Sequence, residues 1–444
     1  MATKTTSAVK KAPTLNDSRF HTNNVVASIK ALDKWKENGM ITDDDKHLIE
    51  EYIIRRRADR DLSQGRVSKI TWTLLTWRRF VPQFRENTIN DIYTGINTLK
   101  TGNNNPGGGG HRHADLTPYS KNFIYDAVTI IKPFYIWLLE TGQANWKKED
   151  LIDDKNDTHR YTKLELRNIA IERIRSIKRP KRDLMTKTVA DILTEKEIKE
   201  MVENCESTRD RAILMLLYDG GFRIGELGKL TWGQVSFDKY GAVVNVDEKT
   251  GKPRYVRLLA GSPYLAKWKD DYPFDPIGSN LVFVSRQKKA ISYNSIHHQI
   301  RRIAKRASIK KNVHPHIFRH TRITNLIEKG IPESVIKNMM WGSLTTDMFA
   351  CYAHLSNRST DDALLEQAGI KRTEKTEQTD VLTPVQCKLC HTINAPTSRF
   401  CSQCGRSLTE EARDIVEVFH EAKDNPDLLI EYANWRKKQL ADQK

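Results

Sequence analysis

Four cysteines near the C-terminal end form two CxxC pairs, Cys387 with Cys390 and Cys401 with Cys404, with ten residues between the pairs. Four thiolates at that spacing suit one tetrahedral zinc ion in a ribbon too short to be held by an apolar core. Gly405 follows the second pair, where a tight knuckle favours a residue without Cβ. The protein fills all four positions, so the ion is expected to be structural, and His391 is a spare imidazole. A redox reading of the pairs lacks a βαβ context. A second set of reactive side chains lies upstream in four short strings. These are GGFRIGEL, with Arg223 and Glu226; the turn KTGKPR, with Lys249 and Lys252; HPHIFRHTRIT, with His316, Arg319 and His320; and MWGSLTTDMFACYAHLS, with Trp341, Tyr352 and His354. A guanidinium stays charged at any relevant pH and can grip an oxyanion with two prongs. An imidazole exchanges protons near neutrality. A phenol keeps its proton up to about pH 10 unless its surroundings remove it. Each string alone is commonplace; the four in this order are not.

In order and content the four strings resemble the tyrosine recombinase (phage integrase) family over about residues 190–360. The helical stretch before them gives weaker support. The resemblance implies a site-specific DNA recombinase, an enzyme that cleaves and rejoins DNA through a 3′-phosphotyrosine intermediate. Tyr352 would attack the phosphodiester, and Arg223 and Arg319 would hold the nonbridging oxygens as charge builds on them. His316 would do proton work. Lys249, or its rival Lys252 on the same turn, would protonate the 5′-hydroxyl leaving group. Trp341 stands where the family carries His or Trp; an indole donates but cannot shuttle a proton, so its expected part is support and packing. Glu226 matches an acidic position that orients a neighbour. His320 is expected to be structural, and His354 to help position its segment. One ester is exchanged for another, so catalysis needs no ATP and no cofactor, and the sequence contains no Walker A string. The resemblance also implies a homo-oligomer, a tetramer on two double-stranded DNA sites. Two alternatives use the same residues: a type IB topoisomerase-like nicking-closing enzyme, and a non-catalytic DNA-binding regulator. The added cysteine module looks most like archaeal or mobile-element integrases.

The elements that must position these residues follow from periodicity. Val26, Ile29, Leu32 and Trp35 suit one helix. Leu48, Ile49, Tyr52 and Ile53 suit a second, and Ile70, Leu74, Trp77 and Phe80 a third. Ile124, Val128, Ile131, Phe134 and Leu138 suit a further helix that stops near Gly142. Thr101–His111 reads as a flexible loop. Thr194 with Glu197, and Ser207 with Asp210, have capping-box spacing. Val243, Val244 and Val246, then Arg254–Leu258, read as two strands around the lysine turn. The expected fold class is multidomain and mainly α. A helical core-binding (SAM-like) domain would precede an α+β tyrosine-recombinase catalytic domain with a small antiparallel sheet, and a zinc ribbon would end it. The expected boundaries are a disordered tail over 1–20, the helical DNA-binding domain over 21–150 and a basic linker over 151–190. The catalytic domain would span 191–372, a linker 373–384, the ribbon 385–408 and a helical tail 409–444. Cys205 and Cys351 read as buried apolar fillers.

Charge favours a polyanionic partner, either nucleic acid or an anionic membrane face. The 444 residues carry 73 Lys plus Arg against 56 Asp plus Glu, a formal +17. Residues 160–187 hold ten Lys/Arg and three Asp/Glu, a net +7, and 286–311 hold nine Lys/Arg and no acid. On a helix, Arg301 and Lys305, like Arg302 and Arg306, stack like charges, which repel unless a polyanion neutralises them. A phosphate backbone is therefore the expected counter-charge, and the family resemblance implies that it is double-stranded DNA. No apolar run of about 18 residues exists and the first residues lack an apolar h-region, so neither a membrane span nor a secretory signal is expected. Six cysteines fit a reducing setting, and the expected location is cytoplasmic, at the nucleoid of a prokaryotic cell.

Overall fold

The computed structural model describes residues 11–18, 20, 22–102, 117–144, 146–154, 156–183, 192–246, 254–349, 352, 368, 381–422, 427 and 430–435. The chain divides into two compact units, His21–Thr186 and Met1–Phe20 with Lys187–Lys444.

Among its described residues the first unit is all helical: α1 (Thr22–Glu37), α2 (Asp43–Asp59), α3 (Gln64–Arg78), α4 (Ile89–Thr101), α5 (Lys121–Glu140), α6 (Lys148–Leu151) and α7 (Lys163–Ser176). The expected apolar stripes of α2, α3 and α5 are buried, from Leu48 to Ile53, from Ile70 to Trp77 and from Ile124 to Leu138. In α1, Leu32 is buried and Ile29 is exposed; Ala31 takes the inward place instead. Capping boxes start α2, α4 and α7 at Thr42, Thr88 and Thr162. In the core the Trp77 indole donates to the Tyr135 hydroxyl at 3.1 Å, and that hydroxyl donates to Asn87. Asp45, wholly buried, is paired with Arg78 at 2.8 Å.

Two boundaries read from sequence change. The stretch 151–190 is not only a linker: within it α7 packs on α5 and buries Ala170, Ile171 and Ile174. Its charge had concealed a short apolar stripe with helical spacing. Residues 11–20 are not a loose tail either. Pro13 accepts a hydrogen bond from the Leu281 amide at 2.9 Å, and Phe20 is buried in the second unit's core. A strand-like edge and an apolar hole on a distant stretch capture a segment with little core-forming content of its own. Residues 1–10 lie outside the described residues, as does most of the expected loop at 101–111.

The second unit contains α8 (Glu195–Glu203), α9 (Thr208–Asp219), α10 (Ile224–Leu227), β1 (Val235–Asp238), β2 (Gly241–Val246), β3 (Arg254–Leu258), α11 (Ser262–Asp270), α12 (Tyr293–Arg306), α13 (Pro315–Glu328) and α14 (Glu333–Trp341). The three strands form an antiparallel sheet in the order β1-β2-β3. The expected capping box is complete at Thr194, whereas Ser207 accepts from the Asp210 amide and the Asp210 carboxylate turns to Arg209 and Gln299 instead. α9 is buried from Ala212 to Tyr218 and packs against α8, α11 and α13, so it is the spine of the unit. β4 (Val385–Gln386) and β5 (Ile393–Asn394) form the ribbon's hairpin, and α15 (Glu410–Glu421) follows it. The architecture is mainly helical with small antiparallel sheets, as expected. Among the described residues no helix is long and apolar enough to cross a membrane.

Candidate active site and metal centre

α9 ends at Gly220-Gly221, and Gly221 adopts φ +57°, the left-handed region that favours glycine. A Cβ there would lie 2.6 Å from the Met340 sulfur, so a side chain at this position would also have to push the end of Met340 aside. The turn delivers Arg223 to the N-cap of α10. Its backbone N–H and its guanidinium both donate to Glu226, each at 2.8 Å.

Arg319 lies one turn into α13 and is only 1 % exposed. Its guanidinium donates to the Gly221 carbonyl at 2.6 Å and to the Met340 carbonyl at 2.5 Å, and lies 5.3 Å from the Trp341 ring centroid. Burial, followed by the charges of Arg223 and Arg254, pulls its pKa far below the ordinary arginine value, to about 9. This cluster therefore holds positive charge at a cost, which a bound anion would offset.

Tyr352 is buried, 3 % exposed, in a small cluster with Ile336, Met340 and Trp341. Its ring lies 6.0 Å from Trp341 and 5.2 Å from His320, and the His320 ring lies 4.4 Å from His316. His316, Arg319 and His320 share one face of α13 by their i, i+3, i+4 spacing; His316 is exposed at its first turn. The structure thus gathers Arg223, Glu226, His316, Arg319, Trp341 and Tyr352 from three separate strings. Lys249 and Lys252 lie outside the described residues, as do Cys351 and His354. Cys205 is buried, as expected.

Two neighbours were not singled out for this site. His320, read as structural, is the imidazole beside the Tyr352 ring. Arg254, read only as a strand residue, has a fully buried side chain that is ion-paired to Glu226 and donates to the Met339 carbonyl at 2.7 Å. Its signal was available: strand alternation puts Arg254 inward with Val256 and Leu258, and an inward arginine needs a buried acid.

On α12, Ile296, Ile300, Ile303 and Ala304 face the core while Arg301, Arg302 and Lys305 are exposed. Arg306 does not share their solvent-facing position. It pairs with Glu206, as does Arg286, so a local acid offsets part of the like-charge stacking expected there.

The four ribbon cysteines place their sulfurs within 4.8 Å of one another. Cys387 and Cys404 are 3.6 Å apart, and Cys390 and Cys401 are 3.4 Å apart. A tetrahedral ion with Zn–S of about 2.3 Å holds its sulfurs about 3.8 Å apart, so the set fits zinc with a small expansion. Gly405 at φ +71° and the Arg406 carbonyl, which accepts from the Cys401 amide at 2.7 Å, form the second knuckle. The Asn394 side chain braces the site by donating toward the Cys401 sulfur at 3.7 Å and accepting from the Ser402 amide at 2.9 Å. The ribbon is docked rather than pendant: Thr397 hydrogen-bonds Tyr264 of α11 at 2.8 Å, and Leu382 and Ala395 join the unit's core.

Residues 191–358 match the phage integrase family. Transposase A from transposon Tn554 of Staphylococcus aureus is 32% identical over 181 residues, 37% of this chain and 49% of that protein. Tyrosine recombinase XerA of Pyrococcus furiosus is 31% identical over 187 residues, 40% of this chain and 61% of that protein. The chain thus spans about half the length of the Tn554 transposase that it matches. Among solved structures, the lambda integrase fragment 75–356 bound to DNA aligns with a TM-score of 0.49 and 14% identity. That alignment covers 71% of this chain and 98% of that one. A crystal structure of XerA recombinase aligns with a TM-score of 0.35 and 21% identity, over 73% and 98%.

Proposed function

Residues 191–358 belong to the phage integrase family of tyrosine recombinases, and from that premise we propose that this chain is a site-specific DNA recombinase acting through a 3′-phosphotyrosine intermediate. The observation that carries the reading is that Tyr352 sits in one cluster with Trp341 and His320, one indole away from the buried guanidinium of Arg319. A lone core tyrosine has no use for a buried, uncomfortably charged arginine beside it. A nucleophile that attacks a phosphate does.

In this reading the scissile phosphate occupies the space between Arg223 and Arg319, which neutralise its nonbridging oxygens as charge builds in the transition state. The phenolic oxygen of Tyr352 attacks phosphorus, and its proton passes to His316. The bond from phosphorus to the 5′-oxygen breaks, and that oxygen takes a proton from Lys249, with Lys252 as the alternative donor. The product is a 3′-phosphotyrosine ester and a free 5′-hydroxyl. Ester is exchanged for ester, so rejoining is the same step in reverse and needs no energy input. Trp341 and His320 hold the phenol ring, and Glu226 holds Arg223.

The partner is double-stranded DNA, met by the net charge of +17 and by Arg301, Arg302 and Lys305 on α12. Two duplex sites present four strands and each chain supplies one nucleophile, so complete exchange calls for four protomers. Cys387, Cys390, Cys401 and Cys404 would hold a structural zinc ion, which closes the ribbon and takes no part in the chemistry.

The test is adduct capture. A pool of randomised duplexes, nicked so that the cut end is lost, is incubated with the protein, and SDS-resistant complexes are recovered and digested for mass spectrometry. A nucleotide attached to Tyr352 is expected. A pool that yields no covalent complex, or attachment elsewhere, refutes the reading.

A further inference from the structure

Arg254 is buried completely, yet it has no place in the chemistry above. Its guanidinium reaches the same carboxylate that holds Arg223. One Glu226 oxygen accepts from the Arg223 side chain, and the other accepts from the Arg223 amide and from Arg254. Arg254 also donates to the Met339 carbonyl, one residue before the carbonyl that Arg319 holds. It opens β3, and in the sequence it follows Lys249 and Lys252 by five and two residues. One side chain therefore joins three parts of the unit: the start of β3, the Arg223 turn and the end of α14 that leads to Trp341.

We propose that Arg254 is a positioning residue that shares the charge of Glu226, so that Arg223 is held in place without being neutralised. A carboxylate with a single arginine partner closes into a neutral pair, and that pair has little to offer an anion. Two arginines on one buried carboxylate leave a net +1 across the three groups. The exposures fit this division: the Arg254 side chain is 0% exposed, that of Glu226 10% and that of Arg223 39%. The sealed arginine supplies charge and geometry, and the half-open one can meet a ligand. Burying an arginine solely to brace a strand would be a poor use of it, because an apolar residue of similar volume is often as stabilising.

The inference rests on the reading of this site as DNA-cleaving, and its test separates the two. Single-turnover adduct formation on a captured nicked duplex is compared for the wild type, Arg254→Gln, Arg254→Lys and the double variant Arg254→Gln/Glu226→Gln, each with its DNA affinity. Arg254→Gln leaves Glu226 to Arg223 alone and is expected to slow adduct formation roughly 100-fold, with DNA affinity little changed. The double variant removes the carboxylate as well, restores the net +1, and is expected to recover at least about tenfold of that loss. A merely structural Arg254 predicts the opposite order, because the second substitution removes one more anchor. Arg254→Lys keeps the cation and is expected to stay within about tenfold of wild type. A wild-type rate in Arg254→Gln, or a double variant no faster than the single one, overturns the proposal. So does a Lys variant slowed by about 100-fold or more, a result that counts even if Arg254→Gln does not fold. Absence of any adduct with the wild type overturns the functional reading itself and the proposal with it.

Discussion

The guanidinium of Arg319 lies 5.3 Å from the centroid of the Trp341 indole, and the ring of Tyr352 lies 6.0 Å from the same indole. The tryptophan thus packs beside both the charge and the phenol. Trp341→Ala would open a cavity beside both and remove a cation–π contact; the loss expected is about 3–5 kcal/mol of unfolding free energy. Trp341→Phe keeps a ring in place and should lose less than half of that. Urea denaturation of the full chain measures both. A nearly silent Trp341→Ala would contradict the packing role.

Tyr352→Phe keeps the ring that the cluster buries and removes only the nucleophile. Covalent adduct should vanish, while DNA affinity changes by less than about threefold and stability by less than about 1.5 kcal/mol. Gel shift and denaturant titration make the comparison. If affinity falls along with cleavage, the hydroxyl is needed for folding or binding and is not the attacking group.

The pH dependence of anion binding follows from Arg319. Burial is the main reason its pKa falls from the ordinary arginine value to about 9, with the charges of Arg223 and Arg254 adding to it. Between those two values the unfolded chain keeps a proton that the folded chain has released, so this group's contribution to stability becomes more favourable as pH rises through the window. Below about 9 the charge is present and costly, and a bound anion relieves it. The rise in melting temperature caused by phosphate, relative to chloride at equal ionic strength, should therefore be largest near neutrality and shrink as pH passes about 9. A phosphate effect that grows above that pH would argue against a charged, anion-seeking Arg319.

The ribbon should bind one zinc ion per chain, measured by metal analysis after dialysis. Cys401→Ser, which replaces a buried ligand, is expected to abolish that stoichiometry and to expose the Leu382 and Ala395 contacts to protease. Chelation should have the same effect without touching Tyr352 or its neighbours, so adduct formation by chelated protein tests the purely structural assignment.

Phe20 sits against Gly228, where an added Cβ would fall 2.0 Å from a carbon of the Phe20 ring. Gly228→Ala must therefore expel the ring and should destabilise the unit about as much as Phe20→Ala, roughly 3–5 kcal/mol. The two changes remove the same contact, so the double variant should cost little more than either single one. Full additivity in denaturant unfolding would show that residues 11–20 are not docked there.

Much of this molecule is visible without coordinates, because local rules govern it. The stripes Leu48–Ile53 and Ile124–Leu138 are buried as their spacing requires, since an apolar face must find a core. The capping at Thr194 depends only on residues three apart. The cysteine spacing is likewise a local pattern. Where tertiary competition decides, periodicity fails: Ile29 is outside and Ala31 inside, because what faces α1 settles which side of it turns inward.

The sequence by itself determined which reactive side chains exist, their order, and the two CxxC pairs, because these are properties of residue type and local spacing. Only the tertiary structure decided that Arg254 shares Glu226 with Arg223, that His320 rather than His316 borders the Tyr352 ring, and that a segment near the chain start completes the second unit's core. Those relationships join residues from separate elements. The chain carries no local mark of them, since which carboxylate a buried arginine finds is fixed only when strands and helices pack and water is excluded.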